Sequence, residues 1–68
     1  MTIRIQLNGE QRELATACTV ADLIEELGLR PEQVAVELNK DLVTRAVRSE
    51  TPLSEGDQVE LVTLVGGG

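Results

Sequence analysis

The stretch TIRIQLNG, residues 2–9, decides how the fold begins. Its apolar residues alternate with polar ones, the period of two that indicates a β-strand with one buried face. Asn8 and Gly9 follow this alternation, and such a pair readily adopts the positive φ angles of a two-residue hairpin turn. The sequence therefore predicts an antiparallel hairpin whose second strand covers residues 10–15.

The segment after the hairpin predicts one amphipathic α-helix. Thr19 stands three residues before Asp22, a variant of the capping box found at helix N-termini. Apolar residues then recur at offsets of three, four and seven, and so share one stripe of a helix: Val20, Leu23, Ile24 and Leu27. Gly28 supplies a C-terminal stop, which limits the helix to about two to three turns.

Three further strands are expected in the rest of the chain. The pattern predicts a strand at residues 34–38, a turn at 39–41 and a strand at 42–46. The proline and glycine of residues 52–57 mark a loop, and residues 59–65 form the last and most apolar strand. Five strands and a single helix make an α+β domain of two layers, because one helix covers only one face of a sheet.

The composition excludes several classes of function. The 68 residues include no Phe, Tyr or Trp, so the chain has no aromatic platform on which single-stranded nucleic acid could stack. Twelve acidic residues against six basic ones give a net charge of −6, the wrong sign for binding nucleic acid or an anionic membrane. The acidic surface either serves solubility or steers the chain toward a basic partner protein.

The single cysteine, Cys18, bears on the cellular compartment. It cannot form an internal disulfide, in keeping with a reducing environment. No apolar run reaches the length of a membrane helix, and residues 1–15 lack the pattern of a signal peptide, so we expect a cytoplasmic protein. Cys18 either is a small buried hydrophobe before the helix or carries a persulfide, and the sequence has no histidine to activate it.

Alternation along the last strand places its side chains on two faces. If Val59 and Leu61 pack on the helix, Val62 and Leu64 lie on the opposite face and are exposed. Exposed apolar side chains of this kind can mark a surface for partner docking. The alternative is a β-bulge that turns one of the two side chains inward.

Three glycines, Gly66, Gly67 and Gly68, end the sequence. Ordering a glycine backbone costs about 1–2 kcal/mol per residue, so we predict a flexible tail at 66–68 after a folded domain at 1–65. Three extended residues reach roughly 10 Å, enough to place a carboxylate inside another protein. Because the chain has no nucleotide loop, metal-ligand cluster or catalytic constellation, we expect a substrate and carrier, not an enzyme. The alternative is a fortuitous glycine-rich end.

Two segments carry a resemblance to a known family. VAVELN at residues 34–39 and EGDQVELVTLVGGG at residues 55–68, with the order of elements, resemble ThiS, the sulfur carriers of thiamine biosynthesis. The likeness implies a ubiquitin-like beta-grasp fold, with a mixed sheet of four to five strands and one main helix on one face. Family members often have Val-Pro-Arg where this chain has Val43, Thr44 and Arg45. We expect this departure to matter little, since threonine suits a strand.

The resemblance also implies a cycle of reactions at the C terminus. An E1-like enzyme of the ThiF or MoeB type would use ATP to adenylate Gly68, so the chain itself would bind no cofactor and no metal. A persulfide formed by a cysteine desulfurase would replace AMP and leave a thiocarboxylate, whose sulfur a thiazole synthase of the ThiG type accepts. By position, Gly66 and Gly67 would thread the partners' active sites. Val62 and Leu64 would lie on the strand that such carriers present to partners.

Other functions are compatible with the same terminus. The small subunit of molybdopterin synthase puts sulfur into a pterin, although those chains tend to be longer and to contain aromatic residues. Sulfur delivery to tRNA thiolation or to cysteine synthesis is a further alternative. From other classes, a ubiquitin-like modifier joined to lysines through Gly68, or a non-covalent interaction module with an idle tail, also fits the sequence.

Overall fold

The computed structural model describes residues 1–64, which form five strands, one α-helix and two short 3₁₀ helices. The strands are β1 (Thr2–Leu7), β2 (Glu10–Ala15), β3 (Val34–Leu38), β4 (Asp41–Val43) and β5 (Gln58–Thr63). The α-helix, α1, covers Val20–Glu26, and the 3₁₀ helices cover Pro31–Gln33 and Arg45–Glu50. Within residues 1–64, no helix has the length and apolar character required to cross a membrane.

The five strands form one mixed sheet in the order β2-β1-β5-β3-β4. β5 lies in the centre, parallel to β1 and antiparallel to β3, while both hairpins are antiparallel. α1 packs on one face, where its buried residues Val20, Leu23 and Ile24 join Val36 of β3 and Val59 of β5 in the core. The predicted α+β architecture, with a five-stranded sheet and one main helix, is confirmed.

The opening hairpin has the predicted turn and register. Asn8 and Gly9 have φ angles of 51° and 84°, the left-handed region that the two central residues of a type I′ turn require. The flanking strands pair antiparallel from Leu7 opposite Glu10 to Thr2 opposite Ala15. The turn therefore sets the register along the whole hairpin.

Both ends of α1 are closed by the predicted residues. The hydroxyl oxygen of Thr19 accepts from the Asp22 backbone N–H at 3.1 Å, and an Asp22 carboxylate oxygen accepts from the Thr19 N–H at 3.0 Å. At the C-terminal end, Gly28 has a φ of +73°. The Leu29 N–H then donates to the Ile24 carbonyl at 3.2 Å, the outer bond of a Schellman motif.

Two asparagine side chains hold β5 in place. The Asn8 amide donates to the Leu61 carbonyl at 3.2 Å, and its oxygen accepts from the Leu61 N–H at 2.8 Å. On the other side of the strand, the Asn39 side-chain oxygen accepts from the Gln58 N–H at 2.9 Å, and the Asn39 N–H donates to the Gln58 carbonyl at 2.7 Å. Each turn residue thus continues the hydrogen bonding of the sheet onto β5.

The predicted strand at 42–46 is wrong beyond Val43. β4 ends there, Thr44 becomes the residue before a 3₁₀ helix, and the expectation that threonine serves a strand at this point is also wrong. The turn brings Arg48 inward, where its guanidinium donates to the carbonyls of Pro31 and Val34 at 2.8 and 2.7 Å. These long-range bonds favour the 3₁₀ helix over an extended strand.

The predicted last strand at 59–65 is nearly right. β5 begins one residue earlier, at Gln58, and ends at Thr63. Beyond the strand, the Leu64 N–H donates at 2.6 Å to the carbonyl of Gln33, the last residue of the first 3₁₀ helix. Val65 and the predicted boundary between the domain at 1–65 and the tail at 66–68 lie outside the described residues.

Substitutions at Asn8 test how β5 is held. Asn8→Gly keeps the positive φ but loses two hydrogen bonds, and should lower the free energy of unfolding by about 1–3 kcal/mol. Asn8→Ala loses the same bonds and adds left-handed strain, so it should cost about 1–2 kcal/mol more. Urea denaturation measures both, with Gln11→Ala on the exposed face of β2 as a control expected within about 0.5 kcal/mol. Equal losses in the two Asn8 variants would contradict this account of the turn.

Candidate functional site

The predicted reactive residue, Gly68, and the predicted threading residues Gly66 and Gly67 lie outside the described residues. The structure describes instead the segment that leads to them. Leu64 lies just beyond the end of β5, and four residues separate it from the last atom of the sequence. An extended chain of that length spans at most roughly 14 Å. Any protein that acts on Gly68 must therefore come close to this end of the sheet.

Both predicted docking residues are exposed; Val62 lies on the face of the sheet that α1 does not cover, and Leu64 follows the end of β5. Val62 is 59% exposed and Leu64 is 54% exposed, whereas Val59 in the same strand is 1% exposed. The expected exposure is therefore found, and a bulge that would turn either side chain inward is not. Docking by Val62 and Leu64 stays a prediction.

A third exposed apolar residue was not predicted from the sequence. Leu42 is 68% exposed and lies opposite Glu37 in the pairing of β4 with β3. Its neighbour Val43 is buried, so Leu42 belongs to the uncovered face. Alternation within β4 was the available signal, but the sequence pattern predicted a longer strand and left its faces unassigned.

Cys18 lies in the core and not at the candidate site. Its residue is 8% exposed, and its thiol donates to the Thr19 carbonyl at 3.5 Å. Burial, and then the nearby carboxylates of Asp22 and Glu26, raise the pKa of the Cys18 thiol. A thiol that resists ionisation is a poor nucleophile, so this environment favours the interpretation as a buried hydrophobe over a persulfide carrier.

A cavity of about 190 Å³ lies between α1 and the two 3₁₀ helices, away from the uncovered sheet face. Its lining includes Arg45, Arg48 and Ser49. Burial, and then the charge of Arg45, lower the pKa of the Arg48 guanidinium, which is committed to backbone carbonyls. Within the described part of the chain, no group of three or more His, Cys, Asp or Glu residues could hold a metal ion.

A family model, a curated relative and a solved structure all indicate the same protein family. A model of the ThiS family matches residues 5–68. The sulfur carrier protein ThiS of Thermus thermophilus is 39% identical over 64 residues, covering 94% of this chain and 98% of that protein. A crystal structure of the thiamine biosynthesis protein (ThiS) of Geobacter metallireducens superposes with a TM-score of 0.83 at 30% identity, covering 97% of this chain and 100% of that one.

Longer proteins contain a similar segment. The thiazole synthase of Magnetococcus marinus is 42% identical over 66 residues, and that of Paramagnetospirillum magneticum is 35% identical over 66 residues. In both cases the match covers 97% of this chain but only 20% of the longer protein. This chain therefore spans a fifth of the length of the thiazole synthases that it matches.

The buried state of Cys18 predicts a particular dependence of stability on pH. The thiol pKa is raised in the folded protein, so its contribution to stability is complete below the pKa of the unfolded thiol, about 8.5, and is lost as pH rises from there through the folded pKa. The free energy of unfolding of the wild type should thus fall more steeply between pH 8 and 10 than that of Cys18→Ala. Urea titrations across this range measure both slopes. Rapid alkylation of native Cys18 by iodoacetamide at pH 7 would be inconsistent with its burial.

Proposed function

The chain belongs to the ThiS family, and on this premise we propose that it carries sulfur as a thiocarboxylate on Gly68 for synthesis of the thiazole of thiamine. The observation that carries the proposal is the match of the ThiS family model, which extends through the three terminal glycines to residue 68. The described fold supports it, because β5 leads directly to this segment from the centre of the sheet.

The chemistry requires activation of the Gly68 carboxylate. A carboxylate is a poor electrophile, and transfer of AMP from ATP converts it into a mixed anhydride with release of pyrophosphate. A persulfide sulfur can then attack the carbonyl and displace AMP, which gives an acyl disulfide. A second thiol attacks the persulfide's inner sulfur in that disulfide, which releases the thiocarboxylate and forms a new disulfide between the two thiol sulfurs. We propose that an E1-like enzyme of the ThiF or MoeB type performs the first step and that a cysteine desulfurase supplies the persulfide. ATP and the persulfide are reagents of the reducing cytoplasm, where we place the cycle.

This chain contributes reach and recognition to the cycle. Gly66 and Gly67 have no side chains, so they suit a narrow channel that leads to a partner's catalytic residues. Val62 and Leu64 offer exposed apolar contacts next to that segment. The chain therefore acts as a co-substrate of its partners and supplies no catalytic residue of its own.

The acceptor we propose is a thiazole synthase of the ThiG type. Two thiazole synthases contain a segment similar to nearly all of this chain. A carrier segment and a synthase within one protein are consistent with two components that meet in one reaction. This similarity favours thiamine over the pterin pathway as the destination of the sulfur.

Deleting Gly68 tests the chemistry. With ATP, a persulfide donor and the E1-like enzyme of the same organism, the wild type should gain the mass of one oxygen exchanged for sulfur. The deletion variant, and a variant with one alanine appended after Gly68, should not be loaded, because the carboxylate is displaced by one residue. Gln11→Ala, remote from the terminus, should load normally. Intact mass spectrometry measures the loading of the wild type and of the three variants. Normal loading of either terminal variant would contradict the proposed mechanism. Adducts of high mass would instead indicate a protein modifier.

A charge placed at Leu64 tests docking. Because the side chain is half exposed, Leu64→Glu should change the free energy of unfolding by no more than about 0.5 kcal/mol. It should weaken binding to the E1-like enzyme by roughly tenfold or more, since it puts a charge into an apolar contact. Val47→Glu introduces the same group at a side chain that is 44% exposed in the second 3₁₀ helix, and should leave binding unchanged. Calorimetric titration measures the affinity of each variant for the E1-like enzyme. Equal affinities of Leu64→Glu and the wild type would show that Leu64 is not part of the interface.

A further inference from the structure

Two arginines project from the same side of the second 3₁₀ helix. Arg45 and Arg48 are three residues apart in this helix, and side chains at that spacing eclipse each other in 3₁₀ geometry. Both line the cavity of about 190 Å³ between α1 and the 3₁₀ helices, together with Ser49. Arg45 and Ser49 are exposed, whereas Arg48 is only 5% exposed. The cavity therefore has a buried cation in its wall and a second cation on its solvent side.

The buried charge of Arg48 has no counter-ion within residues 1–64. No ion pair of 4.0 Å or shorter in this part of the chain includes Arg45 or Arg48. A guanidinium has five N–H donors, and the bonds from Arg48 to the carbonyls of Pro31 and Val34 engage two of them. Its Nε is buried and has no hydrogen-bond partner among the described residues. Because proteins rarely bury an ionised group without a partner charge, this cation is unusual.

The neighbouring cation makes the arrangement more costly. Burial, and then the charge of Arg45, lower the pKa of the Arg48 guanidinium, so both oppose its ionised form. None of the carboxylates in residues 1–64 lines the cavity. Glu25 lies one helical turn after Ala21, which does line it, but does not come within 4.0 Å of either guanidinium. An anion from outside the domain would balance charges that the domain itself leaves unbalanced.

The size and charge of the cavity select a class of anion. Pockets for drug-sized molecules measure about 300–1,000 Å³, so a cavity of about 190 Å³ suits one small group. Guanidinium groups match the geometry of phosphate oxygens, and a phosphoryl group carries roughly −1.5 to −2 charges near pH 7. Such a group balances two cations, whereas a carboxylate balances one. Screening over about 8 Å at physiological salt limits repulsion from acidic residues elsewhere on the domain.

We propose that the cavity lined by Arg45, Arg48 and Ser49 is a binding site for a phosphoryl group, from either free phosphate or a small phosphate monoester. Arg45 and the Ser49 hydroxyl donate to the phosphate oxygens, and the fixed charge of Arg48 attracts them from the cavity wall. The cavity lies away from the uncovered sheet face, so the site can be occupied while a partner holds Gly68. The site does not depend on the function proposed for that residue.

An NMR titration of the isotope-labelled chain tests binding, with inorganic phosphate, glycerol phosphate and acetate as ligands at constant ionic strength. Phosphate should shift the amide signals of Ala21 and Ser49 saturably, with a dissociation constant of about 1 mM, and acetate should bind at least tenfold more weakly. Arg45→Gln should weaken phosphate binding by roughly tenfold or more, because it removes a charged donor. Lys40→Gln makes the same change of charge in the turn between β3 and β4, and should bind as the wild type does.

The two sources of the phosphoryl group are distinguished by the same titration. Equal affinities for inorganic phosphate and glycerol phosphate would show that free phosphate is a sufficient ligand. Tighter binding of glycerol phosphate would instead identify a monoester whose remaining atoms contact the domain outside the cavity. Both results support a phosphoryl site.

Urea denaturation provides a second measurement. Without phosphate, Arg45→Gln should be at least as stable as the wild type, because it relieves the repulsion on Arg48. Added phosphate should raise the denaturation midpoint of the wild type more than that of Arg45→Gln, since a ligand stabilises the folded state in proportion to its occupancy. Glu25→Gln should leave the midpoint unchanged in phosphate-free buffer.

Four results would overturn the proposal. Shifts that grow with phosphate without saturation indicate an adventitious ion only. Equal losses of affinity in Arg45→Gln and Lys40→Gln indicate general attraction by charge, and acetate binding as tight as phosphate binding assigns the cavity to a carboxylate. A loss of stability in Glu25→Gln that is not additive with Arg45→Gln shows that Glu25 is the counter-ion in solution.

Discussion

The central position of β5 is the constraint on which the rest of the structure depends. This strand pairs with β1 on one side and β3 on the other, so it joins the N-terminal hairpin to the C-terminal half of the chain. Its Val59 is buried under α1, while Asn8 and Asn39 hold its backbone from the two neighbouring turns. Because the terminal glycines follow β5 in sequence, the bonds that complete the core also determine the position of Leu64, from which the proposed functional segment continues.

The sequence correctly predicts those parts of the fold that are determined by residues close together in the chain. The positive φ of Asn8, the Thr19 capping box and the Gly28 stop each depend on residues a few positions apart, and each is found in the structure. The end of β4 depends instead on Arg48, whose hydrogen-bond acceptors, Pro31 and Val34, lie 17 and 14 residues away in sequence. A local sequence pattern does not indicate such a long-range contact, so the predicted strand at 42–46 extended beyond the true end of β4 at Val43.

The predictions for the candidate site also depend on whether a feature has a local or a long-range cause. Exposure of Val62 and Leu64 follows from alternation once Val59 is known to face the helix. The exposure of Leu42 was not predicted in this way, because the sequence pattern gave β4 the wrong length and left its faces unassigned. The role of the terminal glycines, by contrast, depends on the sequence and the family and not on any geometry in the described part of the chain.

A domain of 68 residues buries only roughly 60% of its unfolded surface, so its margin of stability is small. A carrier of the proposed kind must also leave each partner after every step. Exposed charges at an interface raise the rate of association more than they prolong the complex. An acidic domain with a few exposed apolar side chains can therefore give fast encounters with a basic partner, while the modest apolar area permits release. A larger apolar face would bind more tightly and would delay transfer to the next enzyme.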